Sequence, residues 1–302
     1  MTEHALHATT YGESGPWVVF CHGLFGQGKN WTQIARALAP SHRVLLLDMP
    51  NHGRSPWTTE FSYAEAARLV AAALPPEPVA LVGHSMGGKI AMLVALLEPG
   101  RVERLCVVDV SPVAYSGGTD FAAYIAAMQE VPTHQLQRRA EADQLLMPVV
   151  SDPVVRSFLL QNLHRVGDTW RWQPNLEVLG RDLGALTGWP EDDVVGKVFT
   201  GPVLWIAGAD SDYIKPEYFA AMEALFPTVR KVRIKGAGHW VHSEQPVVFE
   251  GFGPVFGCGS GVKVTSKPVT LTLCPGDPPR KATNIPVKRP QRILGAAFAN
   301  IG

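Results

Sequence analysis

"LVGHSMGGKI" at residues 81–90 sets Ser85 between Gly83 and Gly87, at the end of an apolar run and just before a stretch of helical period. This is G-x-S-x-G in its informative context: strand, sharp turn, helix. The turn forces strained backbone angles on the serine, and small residues two positions to either side let strand and helix approach closely. The hydroxyl is then exposed at the mouth of a sheet. A serine hydroxyl is a weak nucleophile at neutral pH, so the remaining question is which residues activate it.

Working outward, "WVVFC", "RVLLLDM", "PVALVG" and "RLCVVDV" read as strands, and "WTQIARALA", "YAEAARLVAAAL" and "GGKIAMLVALLEP" as the helices between them. Strands that are apolar throughout, each followed by a helix, predict a mostly parallel α/β sheet covered on both faces. The alternation resumes with "GPVLWIAG", a helix from about Glu217 to Leu225, and "VRKVRIKG". The core is therefore predicted over residues 1–112 and 199–250. Between 113 and 198 the strand signal disappears, and helical segments carry Tyr115, Phe121, Tyr124, Trp170, Trp172 and Trp189. This predicts a helical cap insertion over the strand ends, where open α/β sheets bind ligands. Its aromatics suit cap core and substrate wall equally.

Residues 251–302 are rich in Gly and Pro, with Asp277 as the one acidic residue. This predicts a mostly disordered tail, arising from an altered reading frame or a fused segment. The helix begun by "EQPVVFE" is interrupted at Gly251, Gly253 and Pro254.

Lys plus Arg balance Asp plus Glu at 27 each, and 46% of the 302 residues are hydrophobic. The first figure gives no basic excess to track nucleic acid or an anionic membrane; the second is ample for a packed core. The start, "MTEHALHATTYGESG", lacks the pattern of a secretory signal, and no apolar run approaches a membrane span, which predicts a soluble cytoplasmic protein. Cys21 and Cys106 lie in strand-like runs as inert core thiols, and Cys258 and Cys274 complete no C-x-x-C pair. No H-e-x-x-H spacing, G-x-G-x-x-G or P-loop occurs, so no metal or nucleotide cofactor is implied.

The activating groups lie in other motifs. "FCHGLFGQGKNW" follows the first confident strand, so the backbone N–H of Leu24, with Phe25 as second choice, can converge with that of Met86 on a developing oxyanion. His239 in "GAGHWVHSEQP" is placed for general base; His84 and His242 are its competitors. Two carboxylates qualify for the acid. Asp210 follows the strand "GPVLWIAG", and Asp109 ends the strand after the nucleophile helix, 24 residues beyond Ser85. A turn, a helix and a short parallel strand fill that interval, setting Ser85 and Asp109 at the ends of adjacent strands. Asp48, Asn51, His52 and Arg54 in "DMPNHGRS" read as a hydrogen-bonded turn beneath the site.

Together "HGLFG" with "NW", "DMPNHGRS", "GHSMGGK", "VVDVSP" and "GAGHWVHSEQP" resemble the α/β-hydrolase superfamily, and within it the YbfF-like bacterial esterases and their mitochondrial abhydrolase relatives. The resemblance spans residues 15–250. It implies an α/β-hydrolase fold and a serine esterase for short or medium acyl esters. That group carries an aspartate at the position of Asp109 and a serine at the later one, here Ser211, so the resemblance favours Asp109 over Asp210. The alternatives are an acyltransferase or thioesterase with the same triad, and a non-catalytic ligand-binding protein on the same fold.

Overall fold

The structure, a computed structural model, describes residues 5–115 and 120–245 and the backbone of 272–273. Its sheet strands are β1 (Ala8–Tyr11), β2 (Trp17–Cys21), β3 (Arg43–Leu47), β4 (Val79–His84), β5 (Val102–Val108), β8 (Val203–Gly208), β9 (Val229–Ile234) and β10 (Thr272–Leu273), with β6 (Leu163–Val166) and β7 (Thr169–Trp172) in a separate hairpin. The eight-stranded order is β1-β3-β2-β4-β5-β8-β9-β10. β1 and β10 pair antiparallel at the two edges, and the pairings between them are parallel. The exposed "ATTY" of β1 gives no hydrophobic signal, which is why the sequence reading passes over it.

The pleat explains the apolar runs. Val18 and Phe20 face one core with Val82 and Ile206, beneath α1 (Thr32–Leu38); Val19 and Cys21 face the other, with Leu81 and Trp205. Because side chains alternate across a strand, a strand covered on both faces must be apolar at every position. On the second face lie α2 (Tyr63–Ala73), capped by Ser62, and α3 (Met86–Leu97). α3 is buried from Met86 to Leu96, which accounts for its lack of a polar face.

Residues 109–202 separate β5 from β8 and carry α4 (Phe121–Glu130), α5 (Arg139–Leu146), α6 (Pro153–Leu160), α7 (Leu176–Arg181) and α8 (Leu183–Thr187). To the helical segments the sequence shows, the structure adds two short strands. β6 (Leu163–Val166) and β7 (Thr169–Trp172) form an antiparallel hairpin, turned at Gly167 with φ 60°. Four-residue strands with mixed polarity are too short to show a period, although a glycine opening a two-residue turn is a hairpin signal.

After β8 come α9 (Phe219–Leu225), β9 and a short α10 (Val241–Glu244). Among the described residues no helix is long and apolar enough to cross a membrane. Apart from the backbone of Thr272–Leu273, the expected tail and the "EQPVVFE" helix beyond Gln245 lie outside the described residues.

Candidate active site

β4 and β5 run parallel in a register that pairs His84 with Val108, so Ser85 and Asp109 directly follow paired residues. Both leave their strands in the left-handed region, Ser85 at φ 53° and Asp109 at φ 50°. Non-glycine residues hold such angles only where their surroundings over-determine them. For Ser85 the surroundings are the elbow: its N–H donates to Val108 O at 3.0 Å, and its carbonyl accepts from Gly88 and Lys89 at 2.8 and 3.1 Å. A Cβ on Gly83 would sit 2.2 Å from Gly87 O, and one on Gly87 would sit 2.4 Å from His22 O. The strand-to-helix turn has room only for glycine there.

His239 follows β9 and meets both residues. Its Nε2 lies 3.0 Å from Ser85 Oγ and its Nδ1 2.8 Å from Asp109 Oδ2. Tyr213 stacks on the imidazole, with centroids 4.1 Å apart. Asp109 is fully buried. Its Oδ1 accepts from Gly208 N–H at 2.9 Å, and its Oδ2 also accepts from the Ser211 hydroxyl. Asp210 is exposed, its backbone N–H donating to Ala237 O at 3.0 Å. Among the described residues, the carboxylate at hydrogen-bond distance from His239 is that of Asp109.

The competing histidines are occupied elsewhere. His84 Nε2 lies 2.8 Å from the His239 carbonyl, and burial holds its ring well below the ordinary histidine range. His242 stacks on Trp31 at 4.2 Å and is pushed by burial down to about 3. His22 accepts the Met49 N–H at Nε2, 2.8 Å, so its Nδ1 carries the proton that bonds Gly23 O, also at 2.8 Å. Burial pushes it to about 4, matching a ring whose neutral form satisfies both nitrogens.

Leu24, Ser85 and Met86 line one pocket of about 370 Å³ together with Tyr115, Phe121 and Leu186. A second, of about 320 Å³, lies between Leu24, Phe25, Ser85, Tyr124, Phe158 and Trp240. Met86 opens α3, so its N–H is one that a helix leaves without an intrahelical acceptor. All six of the insertion's aromatics pack against the core, and Tyr115, Phe121 and Tyr124 also line these pockets.

The loop after β3 acts as a bracket. Asp48 Oδ1 accepts from Gly28 N–H at 2.7 Å and Oδ2 from Arg54 N–H at 2.9 Å. Asn51, at φ 65°, accepts the Asn175 N–H on its carbonyl at 2.9 Å, and buried His52 donates from Nδ1 to Pro50 O at 2.9 Å. Cys21 and Cys106 are buried and free, the Cys21 thiol pushed up to about 12.

Several contributors lie beyond the sequence reading. Ser211, which the sequence reading names only as the serine at the later acid position, gives its hydroxyl to Asp109, and Tyr213, which it does not name, stacks on His239. Lys89, one helical turn after Ser85, lines the first pocket and donates from Nζ to Thr187 O and Gly188 O at 2.9 and 2.5 Å. Burial pushes its ammonium down to about 7. "GHSMGGK" holds this lysine, but a charged residue on an otherwise apolar helix is the only sequence signal. Among the described residues, no group of three or more His, Cys, Asp or Glu could hold a metal ion.

A hydrogen-bonded line from hydroxyl to imidazole to buried carboxylate, opening on apolar pockets, can deliver an activated oxygen to a bound carbonyl. The comparisons agree in kind. The sn-1-specific diacylglycerol lipase ABHD11 of Mus musculus is 40% identical over 243 residues, 78% of this chain and 78% of the relative. Esterase YbfF of Escherichia coli is 32% identical over 232 residues, 76% of this chain and 88% of the relative. The solved structure of a marine microorganism esterase superposes with a TM-score of 0.80 at 32% identity, covering 84% of this chain and 99% of that one. The family described as the alpha/beta hydrolase fold matches residues 16–246. By sequence, topology and elbow geometry, the chain belongs to the α/β-hydrolase family.

Proposed function

We propose that the chain is a serine carboxylic-ester hydrolase for small or medium acyl esters, with residues 113–198 as a cap over the site. The carrying observation is the line Ser85 Oγ, His239 Nε2, His239 Nδ1, Asp109 Oδ2 at the junction of two apolar pockets. The esterase and lipase names of the relatives support the reaction class.

In this reading Ser85 Oγ attacks the ester carbonyl carbon while its proton passes to His239 Nε2. Asp109 accepts the Nδ1–H bond, keeping that tautomer and stabilising the imidazolium without taking the proton itself. The carbonyl electron pair moves onto oxygen, where the N–H groups of Leu24 and Met86 hold it. Collapse expels the alkoxide, which takes the proton from His239 and leaves as alcohol; the acyl group stays on Ser85. Water, deprotonated by the same Nε2, then releases the acid and restores the hydroxyl. The apolar lining beside Ser85, from Leu24, Val110, Phe121 and Leu186, supports an acyl group as the part of the substrate held there.

An ester panel of graded acyl length, run on wild type and Ser85→Ala, tests this. The expected result is turnover falling off for long acyl groups, and a loss on the order of 10⁵–10⁶-fold in kcat for the variant. Turnover retained by Ser85→Ala, or no turnover with no labelling of Ser85 by a serine-directed phosphonate, would reject it; the latter pattern belongs to a ligand-binding protein. Product analysis with added alcohol separates hydrolysis from acyl transfer, in which the alcohol replaces water. A cytoplasmic location is part of the proposal, tested by fractionating cells that express the tagged chain.

A further inference from the structure

The loop that carries Leu24 is held from the far side by the insertion. Gly26 N–H donates to Gly23 O at 2.9 Å, closing a tight turn with Leu24 and Phe25 at its centre. Phe25 sits at φ 59°, a left-handed angle that a bulky side chain does not adopt without restraint. The restraint comes from Asn162, between α6 and β6, which is fully buried. Its Nδ2 donates to Phe25 O at 2.7 Å and to Leu159 O at 3.2 Å, and its Oδ1 accepts from Gln27 Nε2 at 2.6 Å. One peptide, Phe25–Gly26, is thus clamped at both ends: its N–H by Gly23 and its C=O by Asn162.

Neighbouring bonds make the junction directional. Asn30 Nδ2 donates to Gln161 Oε1 at 2.9 Å, and Gln27 N–H donates back to Asn30 Oδ1 at 2.7 Å. Burying an asparagine costs free energy unless its polar atoms are satisfied, and here the amide nitrogen and the amide oxygen both have partners. An apolar residue would fill the space without aiming a peptide plane. Asn162 does aim one, in the turn on which the Leu24 N–H rides.

We infer that Asn162 is a positioning residue for the oxyanion site, coupling the seating of the insertion to the aim of the Leu24 N–H. This rests on the reading of the Leu24 and Met86 amides as the oxyanion donors. A well-seated insertion holds the donor at the angle the oxyanion needs; a displaced one releases the Phe25 carbonyl and lets the strained turn relax. The coupling acts on the transition state, since the oxyanion forms there and not in the ground state.

The test compares an ester with its matched thionoester, whose sulfur is a poor acceptor for N–H donors, in wild type, Asn162→Asp, Asn162→Ser and the control Asp168→Ala, an exposed residue of the β6–β7 turn outside the junction. Asn162→Asp keeps an acceptor for Gln27 but loses the donor to Phe25 O; Asn162→Ser is the milder change should the aspartate variant fail to fold. The expected result is a strong wild-type preference for the ester. In either Asn162 variant, kcat for the ester falls about tenfold to a hundredfold, below the ~10²–10³ for outright loss of a donor. KM stays within about twofold, the thionoester rate changes little, and the preference collapses; Asp168→Ala keeps it. Folded Asn162 variants with the wild-type preference would overturn the coupling alone. A wild-type enzyme that turns over both substrates equally would overturn the oxyanion reading, and the coupling with it.

Discussion

A carboxylate only accepts hydrogen bonds, so Asp109 can hold the Gly208 N–H, the Ser211 hydroxyl and the His239 Nδ1–H at once. Replacing one oxygen by an amide nitrogen turns a donor toward one of these donors, or forces the imidazole into the wrong tautomer. Asp109→Asn is therefore expected to lower kcat on the order of 10³–10⁴-fold with the fold intact, whereas exposed Asp210→Asn changes it by less than about threefold. Steady-state kinetics of the two variants decides the matter; the reverse ranking would reject Asp109. Motifs beside strand ends single out Ser85 and His239, which the fold brings to 3.0 Å, and the amides of Leu24 and Met86, whose oxyanion role belongs to the proposal. Between Asp109 and Asp210 the resemblance favoured Asp109, while spacing alone left both open, because two aspartates at the edge of one sheet differ only in which one the folded chain turns toward His239.

The element that sets the site is the turn from β4 into α3, and its tolerance is steric. A Cβ at Gly87 would lie 2.4 Å from His22 O and 2.5 Å from Cys21 O, both backbone atoms of the neighbouring strand and its loop. Neither can move without opening the β2–β4 pairing. Gly87→Ala is expected to cost roughly 3 kcal/mol or more, read as a lower urea midpoint, and to reduce Ser85 labelling in the fraction that stays folded. Wild-type stability in that variant would mean that the elbow is looser than its contacts. The G-x-S-x-G pattern announced this constraint in advance. The β6–β7 hairpin went unannounced, since its register comes from pairing across a turn and not from any period along the chain.

Across the whole molecule, burial has left His22, His52, His84 and His242 neutral, at about 4, about 3, well below the ordinary range and about 3. Unfolded histidines titrate near 6.5, so as pH falls below that value the unfolded chain binds protons that the native chain does not. Stability is therefore complete above about pH 6.5 and falls on acidification toward the folded values. The slope approaches about 1.4 kcal/mol per pH unit for each ring, or about 5 for the four together, against a total stability of roughly 5–15 kcal/mol. Urea midpoints at pH 7.5, 6 and 5 are expected to drop steeply, and His242→Phe, which keeps a ring to stack on Trp31, should make the drop shallower. A flat profile would mean that these rings accept protons in the native state.

The sequence by itself determined the two-sided parallel sheet, the elbow serine, the histidine loop and the glycine-rich turn that carries Leu24. Each of these is a local pattern: an apolar strand, a turn residue or a motif at a fixed spacing. Only the tertiary structure decided that Asp109 meets His239, that Ser211 and Tyr213 brace the pair, and that Asn162 grips the Phe25 carbonyl. Those contacts join residues 102, 130 and 137 positions apart across Ser211–Asp109, His239–Asp109 and Asn162–Phe25. No periodicity reaches across such intervals; strand register and helix packing bring the atoms together, and hydrogen-bond geometry then selects which of the available groups become partners.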